Sequence, residues 1–217
     1  TKSLLMYRYC RLPQAKLLAK KEGLIGALFP WQSGSNGREE CSPMYFNVKS
    51  SRWIFDFTAR QRHVNAAIAF NVWQYYQATN DIAFLSSHGA KMFLEIARCF
   101  ASMASYNSQK NRYEICNIVG PDEFHVKYPD REKPGIDNNA YTNIMASWTL
   151  NHAQRILDLL NEEDKNALRQ ELHITDEEIL DWKKISENLY VPFLENGIIA
   201  QFEGYEDLKE LDWDGYK

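Results

Sequence analysis

The sequence predicts an all-α fold, with helices lining the wall of a toroid and long loops crowding one mouth. Three observations carry this. Apolar residues recur with a helical period along most of the chain. Some links between these stretches are short, whereas others are long and rich in polar and aromatic residues. No motif recurs at a fixed interval, which argues against a solenoid. With 217 residues and 45% hydrophobic content the chain can bury a substantial core.

Residues 1–10 and 13–22 read as two helical pieces broken at Leu12-Pro13, where proline suits a first-turn position, with Gly23 as the stop. Residues 60–78 place Val64, Ala67, Ile68, Asn71, Val72 and Tyr75 on one face. Residues 82–105 do the same with Leu85, Gly89, Met92, Phe93, Ile96, Ala97 and Phe100. Residues 139–160 follow with Tyr141, Ile144, Met145, Trp148, His152, Ile156 and Leu157. The last clear helix starts at the capping pair Thr175 and Glu178, carries Ile179, Trp182, Ile185 and Leu189 on one stripe, and ends near Pro192. Short strands are expected at most near 44–57, 112–119 and 198–202. The long connections, 23–59, 106–138 and 191–217, are where function is expected, because irregular loops of that length inside a domain are usually functional.

The richest loop reads GPDEFHVKYPDREKPGIDNNAYTN over residues 120–143. Carboxylates and amides grip sugar hydroxyls, aromatic rings lie against C–H faces, and glycosidic cleavage needs a carboxylic acid to protonate the leaving oxygen. Glu123 is the candidate acid. Read alone, Gly120-Pro121-Asp122-Glu123 is equally a helix N-terminus. The context of Asp137, Asn138, Asn139 and Asn143 favours a cavity, although Asp137 also suits an N-cap. Trp31, in FPWQSGSNGREE, is an indole that either stacks on a sugar or folds onto its own core. The Ser33–Gly37 turn is more simply a turn than a phosphate loop, since GxxxxGK[ST] is missing. His63 and His125 are the histidines best placed for a mouth-side role, whereas His152 sits on an apolar face. No histidines and acids fall at metal-ligand spacing, so no metal is expected. Neither GxSxG nor a catalytic-cysteine context is present.

The net charge of −4, with Lys and Arg spread along the chain, leaves no basic field for nucleic acid. No apolar run approaches the ~20 residues of a membrane span. Cys10, Cys41, Cys99 and Cys116 show no paired spacing and read as reduced thiols in a cytoplasmic protein. The start TKSLLMYRYC lacks an initiator Met and a signal-peptide core, which suggests a chain cut from something longer.

Together these residues resemble the catalytic barrel of glycoside hydrolase family 65, the family of maltose, kojibiose, nigerose and trehalose phosphorylases and of some hydrolases. YRYCRLPQAKLLAKKEGLIGALFPWQS resembles its helix leading into an aromatic substrate loop, GREE its acidic continuation, and HVNAAIAFNVWQYYQATND the next barrel helix. GPDEFH followed by IDNNAYTN resembles the general-acid segment, and IIAQFEGY a later signature. The resemblance implies an (α/α)6 barrel, a six-hairpin toroid of which residues 1–217 are an incomplete part of one catalytic domain. It implies that Glu123 is the general acid and that Trp31, His63, Asn138 and Asn139 lie in or near the sugar site; Gln32, Asp122 and His125, next to these in sequence, complete the substrate-binding candidates. There are departures. Gln61 stands where many members carry an acid, and MYFNVKSSRWIFDF differs from the maltose phosphorylase loop, which touches acceptor preference. The upstream Trp-Asp helix, the downstream Lys-Gln motif and the phosphate ligands are not found in this stretch, and the isolated piece is expected to have little turnover.

The implied reaction is inverting phosphorolysis of an α-glucosyl disaccharide to β-glucose 1-phosphate, with inorganic phosphate as co-substrate and no cofactor. The implied assembly of the full-length protein is a homodimer. Inverting hydrolysis of a related α-glucoside, trehalase-like, is the second reading, and it needs another carboxylate roughly 6.5–9.5 Å from the acid. A truncated sugar-binding module without turnover is the third.

Overall fold

The structure is a computed structural model, and it describes residues 1–122 and 125–215. The chain is mostly helical with two small sheets. Helices α1 (Lys2–Cys10) and α2 (Leu12–Lys21) meet at Arg11, and Pro13 occupies the first turn of α2, as its missing N–H permits. Strands β1 (Met44–Asn47) and β2 (Arg52–Phe55) form an antiparallel hairpin with Phe46 opposite Trp53. Helix α3 (His63–Thr79) follows a single turn at Thr58–Arg60. A helical run then starts at α4 (Ile82–Phe84), where the Asp81 carboxylate accepts from the Phe84 N–H at 3.0 Å. The run passes through a π-helical turn, Leu85–Gly89, and continues as α5 (Ala90–Met103). Strands β3 (Ser105–Asn107) and β4 (Arg112–Glu114) form the second hairpin. Helices α6 (Ala140–Leu159), α7 (Glu162–Leu172) and α8 (Asp176–Asn188) complete the set.

Two features differ from the pattern expected of the sequence. Helix α7 carries no apolar stripe, burying Leu168 and Leu172, and is fixed at its start by Asn161, whose side chain accepts from the Asp164 N–H at 2.8 Å. Residues 198–202 form no strand. A lone bridge, Phe193 to Ile199, replaces it.

One core cluster joins α1, α2, α3, α5, α6 and α8 through Leu5, Leu12, Val72, Phe93, Ile96, Leu150, Ile156 and Trp182. Helix α6 packs on α3, α5 and α8, so it is the central wall. The segment after α2 returns along it and lies on α5, where the Ala27 N–H donates to the Glu95 carbonyl at 2.9 Å. Gly26 makes that approach possible. Its φ is +86°, and a Cβ there would sit 2.3 Å from the Glu95 carbonyl oxygen. Among the described residues no helix is long and apolar enough to cross a membrane.

Candidate functional site

The returning segment brings Trp31 to the head of α3. Asn65, in the first turn of α3 and fully buried, accepts from the Phe29 N–H at 2.7 Å and returns a bond to the Phe29 carbonyl at 3.3 Å. One side-chain amide thus replaces a strand partner for the backbone two residues before Trp31. Beyond it, the Glu39 carboxylate gathers the N–H groups of Trp31 at 2.7 Å and of Gln32 and Cys41 at 3.0 Å. The indole of Trp31 stands edge-on to the His63 ring at 4.9 Å between centroids, and the Tyr141 ring also meets that imidazole edge-on at 5.8 Å. Tyr141 is exposed and Trp31 half-buried, so the cluster faces solvent over part of its surface. Gln32 is exposed beside it. Burial holds the His63 imidazole below its ordinary pKa and therefore neutral, and its Nδ1 is buried without a partner among the described residues.

The second half of the site comes from residues 117–122 and 125. Val119 bridges Gln61, and the Gln61 side chain donates to the Gly120 carbonyl at 3.0 Å, two residues ahead of His63. Gly120 and His125 close on each other, with the Gly120 N–H donating to the His125 carbonyl at 3.0 Å. Pro121 and Asp122 form a bend and residues 125 and 126 a turn, so among the described residues no helix starts here. Glu123 lies outside the described residues. His125 is buried, its Nε2 lies 2.5 Å from the Gln201 Oε1, and its ring meets Phe202 edge-on at 5.0 Å.

Asn138 and Asn139 are placed with this segment, but both are almost completely buried and their amides are engaged by protein groups. Asn139 is the N-cap of α6, the role that Asp137 suited from sequence. It accepts from the Thr142 N–H at 2.9 Å and donates to the Gln201 carbonyl at 3.0 Å. Asn138, in the left-handed region at φ 51°, donates to Glu114 at 3.2 Å and Glu203 at 2.6 Å and accepts from Asn143 at 3.1 Å. Asp137 accepts from the Asn117 N–H at 3.0 Å and pairs with Arg131 at 2.8 Å.

Behind Asn138 lies a charged cleft of about 280 Å³, lined by Lys110, Glu114, Cys116, Tyr128, Arg131, Asp137 and Glu203 among others. Lys110 pairs with Glu114 at 2.6 Å and also with Glu203. Burial alone would lift the Glu114 pKa, but hydrogen bonds from Lys110 and Asn107 outweigh it and the carboxylate sits below its ordinary range. The Cys116 thiol is pushed up to about 12 by burial, reinforced by Asp137 and Glu114, which leaves it protonated and a poor nucleophile.

In the Ser33–Gly37 turn both glycine N–H groups are engaged by neighbouring backbone. Gly34 donates to the Arg38 carbonyl and Gly37 to the Gly34 carbonyl, both at 2.9 Å, while Tyr7 and Arg8 of α1 bind Gly34 and Ser33. His152 bonds the Trp148 carbonyl at 2.9 Å and stacks on the Trp148 ring, a core arrangement. Among the described residues no three His, Cys, Asp or Glu side chains are grouped to hold a metal.

Sequence patterns point to Trp31 and His63 as site residues, whereas Gln61 enters only as a departure from the family, Tyr141 only as a helix-face residue and Gln201 only within the IIAQFEGY stretch. Asn65 is not singled out. The joining roles of Asn65 and Gln201 have no local signal, since their partners lie 36 and 76 residues away.

Residues 1–217 match the sequence profile of the glycosyl hydrolase family 65 central catalytic domain. An uncharacterized glycosyl hydrolase of Mycobacterium tuberculosis is 46% identical over 216 residues, covering 100% of this chain and 16% of that protein. A kojibiose phosphorylase of Thermoanaerobacter brockii is 38% identical, covering 96% of this chain and 26% of its own length. A solved structure assigned as a kojibiose phosphorylase from the human microbiome superposes with a TM-score of 0.80 at 25% identity, over 100% of this chain and 27% of that one. The chain therefore spans about a quarter or less of the length of these relatives.

Proposed function

Because the chain belongs to glycoside hydrolase family 65, a family of phosphorylases and glycosidases, we propose that it is part of one (α/α)6 catalytic domain that phosphorolyses an α-glucosyl disaccharide. The observation that carries the proposal is the junction between Gln61 and Gly120. It sets Gly120, three residues before Glu123 in sequence, against the head of α3, where Trp31, His63 and Tyr141 form an aromatic wall.

In this reading Glu123 protonates the glycosidic oxygen as the C1–O bond breaks, and an oxygen of inorganic phosphate bonds to C1 from the opposite face. The product is β-glucose 1-phosphate, with inversion. Trp31 lies against a sugar face, and neutral His63 offers a lone pair or an N–H to a hydroxyl without carrying charge. Gln32 and Asp122 are taken as sugar-contacting, while His125, Asn138 and Asn139 hold the segments that present the contacts. No cofactor is invoked. The setting is taken as cytoplasmic, which suits four free thiols, and the assembly as a homodimer on family resemblance, to be checked by light scattering.

The test is Glu123→Gln in the full-length enzyme. It keeps size and hydrogen bonding but cannot donate the proton, so kcat on a disaccharide should fall by roughly 10²–10⁴-fold with little change in affinity. Near-normal turnover would remove Glu123 from the role. Wild-type release of free glucose without phosphate would replace phosphorolysis by hydrolysis.

A further inference from the structure

We infer that Gln201 is a positioning residue for the general-acid segment, acting through His125; the inference rests on the assignment of Glu123 above. Glu123 and Phe124 lie outside the described residues, but the residues on either side of them are described: the Gly120 N–H donates to the His125 carbonyl at 3.0 Å. Gly120 and His125 form a neck, and whatever holds that neck fixes where the chain enters and leaves the segment between them. On one side Gln61 binds the Gly120 carbonyl. On the other side the hold is Gln201.

Gln201 binds in three ways. Its side-chain oxygen faces the His125 Nε2 at 2.5 Å, and its backbone carbonyl accepts from both the Asn139 side chain and the Ala140 N–H at 3.0 Å. One residue thus ties the neck of the loop to the first turn of α6, whose next residue, Tyr141, touches His63. An amide oxygen only accepts, so it selects the tautomer of His125 with the proton on Nε2 and leaves a lone pair on Nδ1. That Nδ1 is buried, and it lies 2.7 Å from where a Cβ on Gly120 would be. The ring is therefore held by Gln201 at one nitrogen and packed close to Gly120 at the other, with the Phe202 ring edge-to-face to it at 5.0 Å. A displaced ring moves the neck, and sub-ångström to ångström errors at an acid are costly in rate.

The experiment compares Gln201→Leu and Gln201→Glu in the full-length enzyme on two donors, an α-glucosyl disaccharide and α-glucosyl fluoride, whose leaving fluoride departs as an anion and needs no proton. Gln201→Leu removes the acceptor and should lower kcat on the disaccharide by roughly 10-fold to 10²-fold with KM little changed, while the fluoride reaction changes by less than about 3-fold. Gln201→Glu keeps an oxygen acceptor and should recover most of the loss. A parallel fall on both donors, or an undiminished disaccharide rate in Gln201→Leu, overturns the inference. The wild-type arm judges the activity separately. Hydrolysis in place of phosphorolysis would end the phosphorolysis reading yet leave the comparison of donors decisive for Gln201, whereas cleavage of neither donor would end both.

Discussion

Asn65→Ala should be among the most damaging polar substitutions near the site. The residue is fully buried, and its amide makes three bonds: from the Phe29 N–H at 2.7 Å, to the Phe29 carbonyl at 3.3 Å and to the Arg62 carbonyl at 3.1 Å. Truncation strands the Phe29 N–H in a position 1% exposed. An unsatisfied buried donor costs about 1–3 kcal/mol. The two carbonyls lose less, since the Arg62 oxygen still accepts from the Asn65 N–H. Adding a small cavity, the total is roughly 2–4 kcal/mol. At about 2–4 °C per kcal/mol for a domain of this size, the melting midpoint of the catalytic domain should fall by roughly 5–15 °C. The assay is thermal unfolding of the full-length protein, with Gln74→Ala, an exposed position about two and a half turns along the same helix, as the control expected within about 0.5 kcal/mol. Because Asn65 holds the backbone two residues before Trp31, KM for the disaccharide should also rise. A loss below about 1 kcal/mol would refute the argument that this amide stands in for a strand partner.

Two further outcomes follow from the same geometry. Gly120→Ala should cost about 1–3 kcal/mol and lower kcat, because its Cβ would lie 2.7 Å from the His125 Nδ1 and 2.8 Å from the His125 Cβ; melting and steady-state kinetics measure both, and an unchanged kcat would count against a tightly set neck. Burial depresses the folded-state pKa of His63 below 6.5, so the unfolded chain binds the proton first and stability declines as pH falls from about 6.5 toward the folded pKa. His63→Phe should flatten that acid limb in pH-dependent melting, and an unaltered limb would show that another group sets it.

The helices were legible where burial follows a 3.6-residue stripe, as in α3, α5, α6 and α8, because the core selects those positions directly. Helix α7 was not, because capping by Asn161 and an acidic first turn of Glu162, Glu163 and Asp164 support it, and it buries little apolar surface. The apolar run near 198–202 reads as a strand, yet it has no neighbouring ladder and forms a single bridge. At the site, residue type pointed to Trp31 and His63, which the fold brings into ring contact. The run of amides at 138–139 was read as facing a sugar. Its local sequence could not disclose that Glu114, Gln201 and Glu203 fold back to occupy those amides.

That pattern explains why so many amides crowd this end of the molecule. Among the described residues, the loops at 29–32, 117–122 and 200–203 have no extended hydrogen-bond ladder of their own, and buried backbone N–H and C=O groups must still be satisfied. Asn65 serves Phe29, Gln61 serves Gly120, Asn139 serves Gln201 and Asn143 serves Tyr190, each reaching from one segment to the backbone of another. Each bond adds only about 1 kcal/mol net, but breaking one strands a buried group at about 1–3 kcal/mol. The segments therefore hold or fail together. An apolar contact would fill the same space without fixing direction, whereas an amide specifies which atom meets which. Under the proposed assignment of Glu123, a reaction that depends on the position of one carboxyl needs such a directional hold, and the amides around Gly120 and His125 would supply it in place of a sheet.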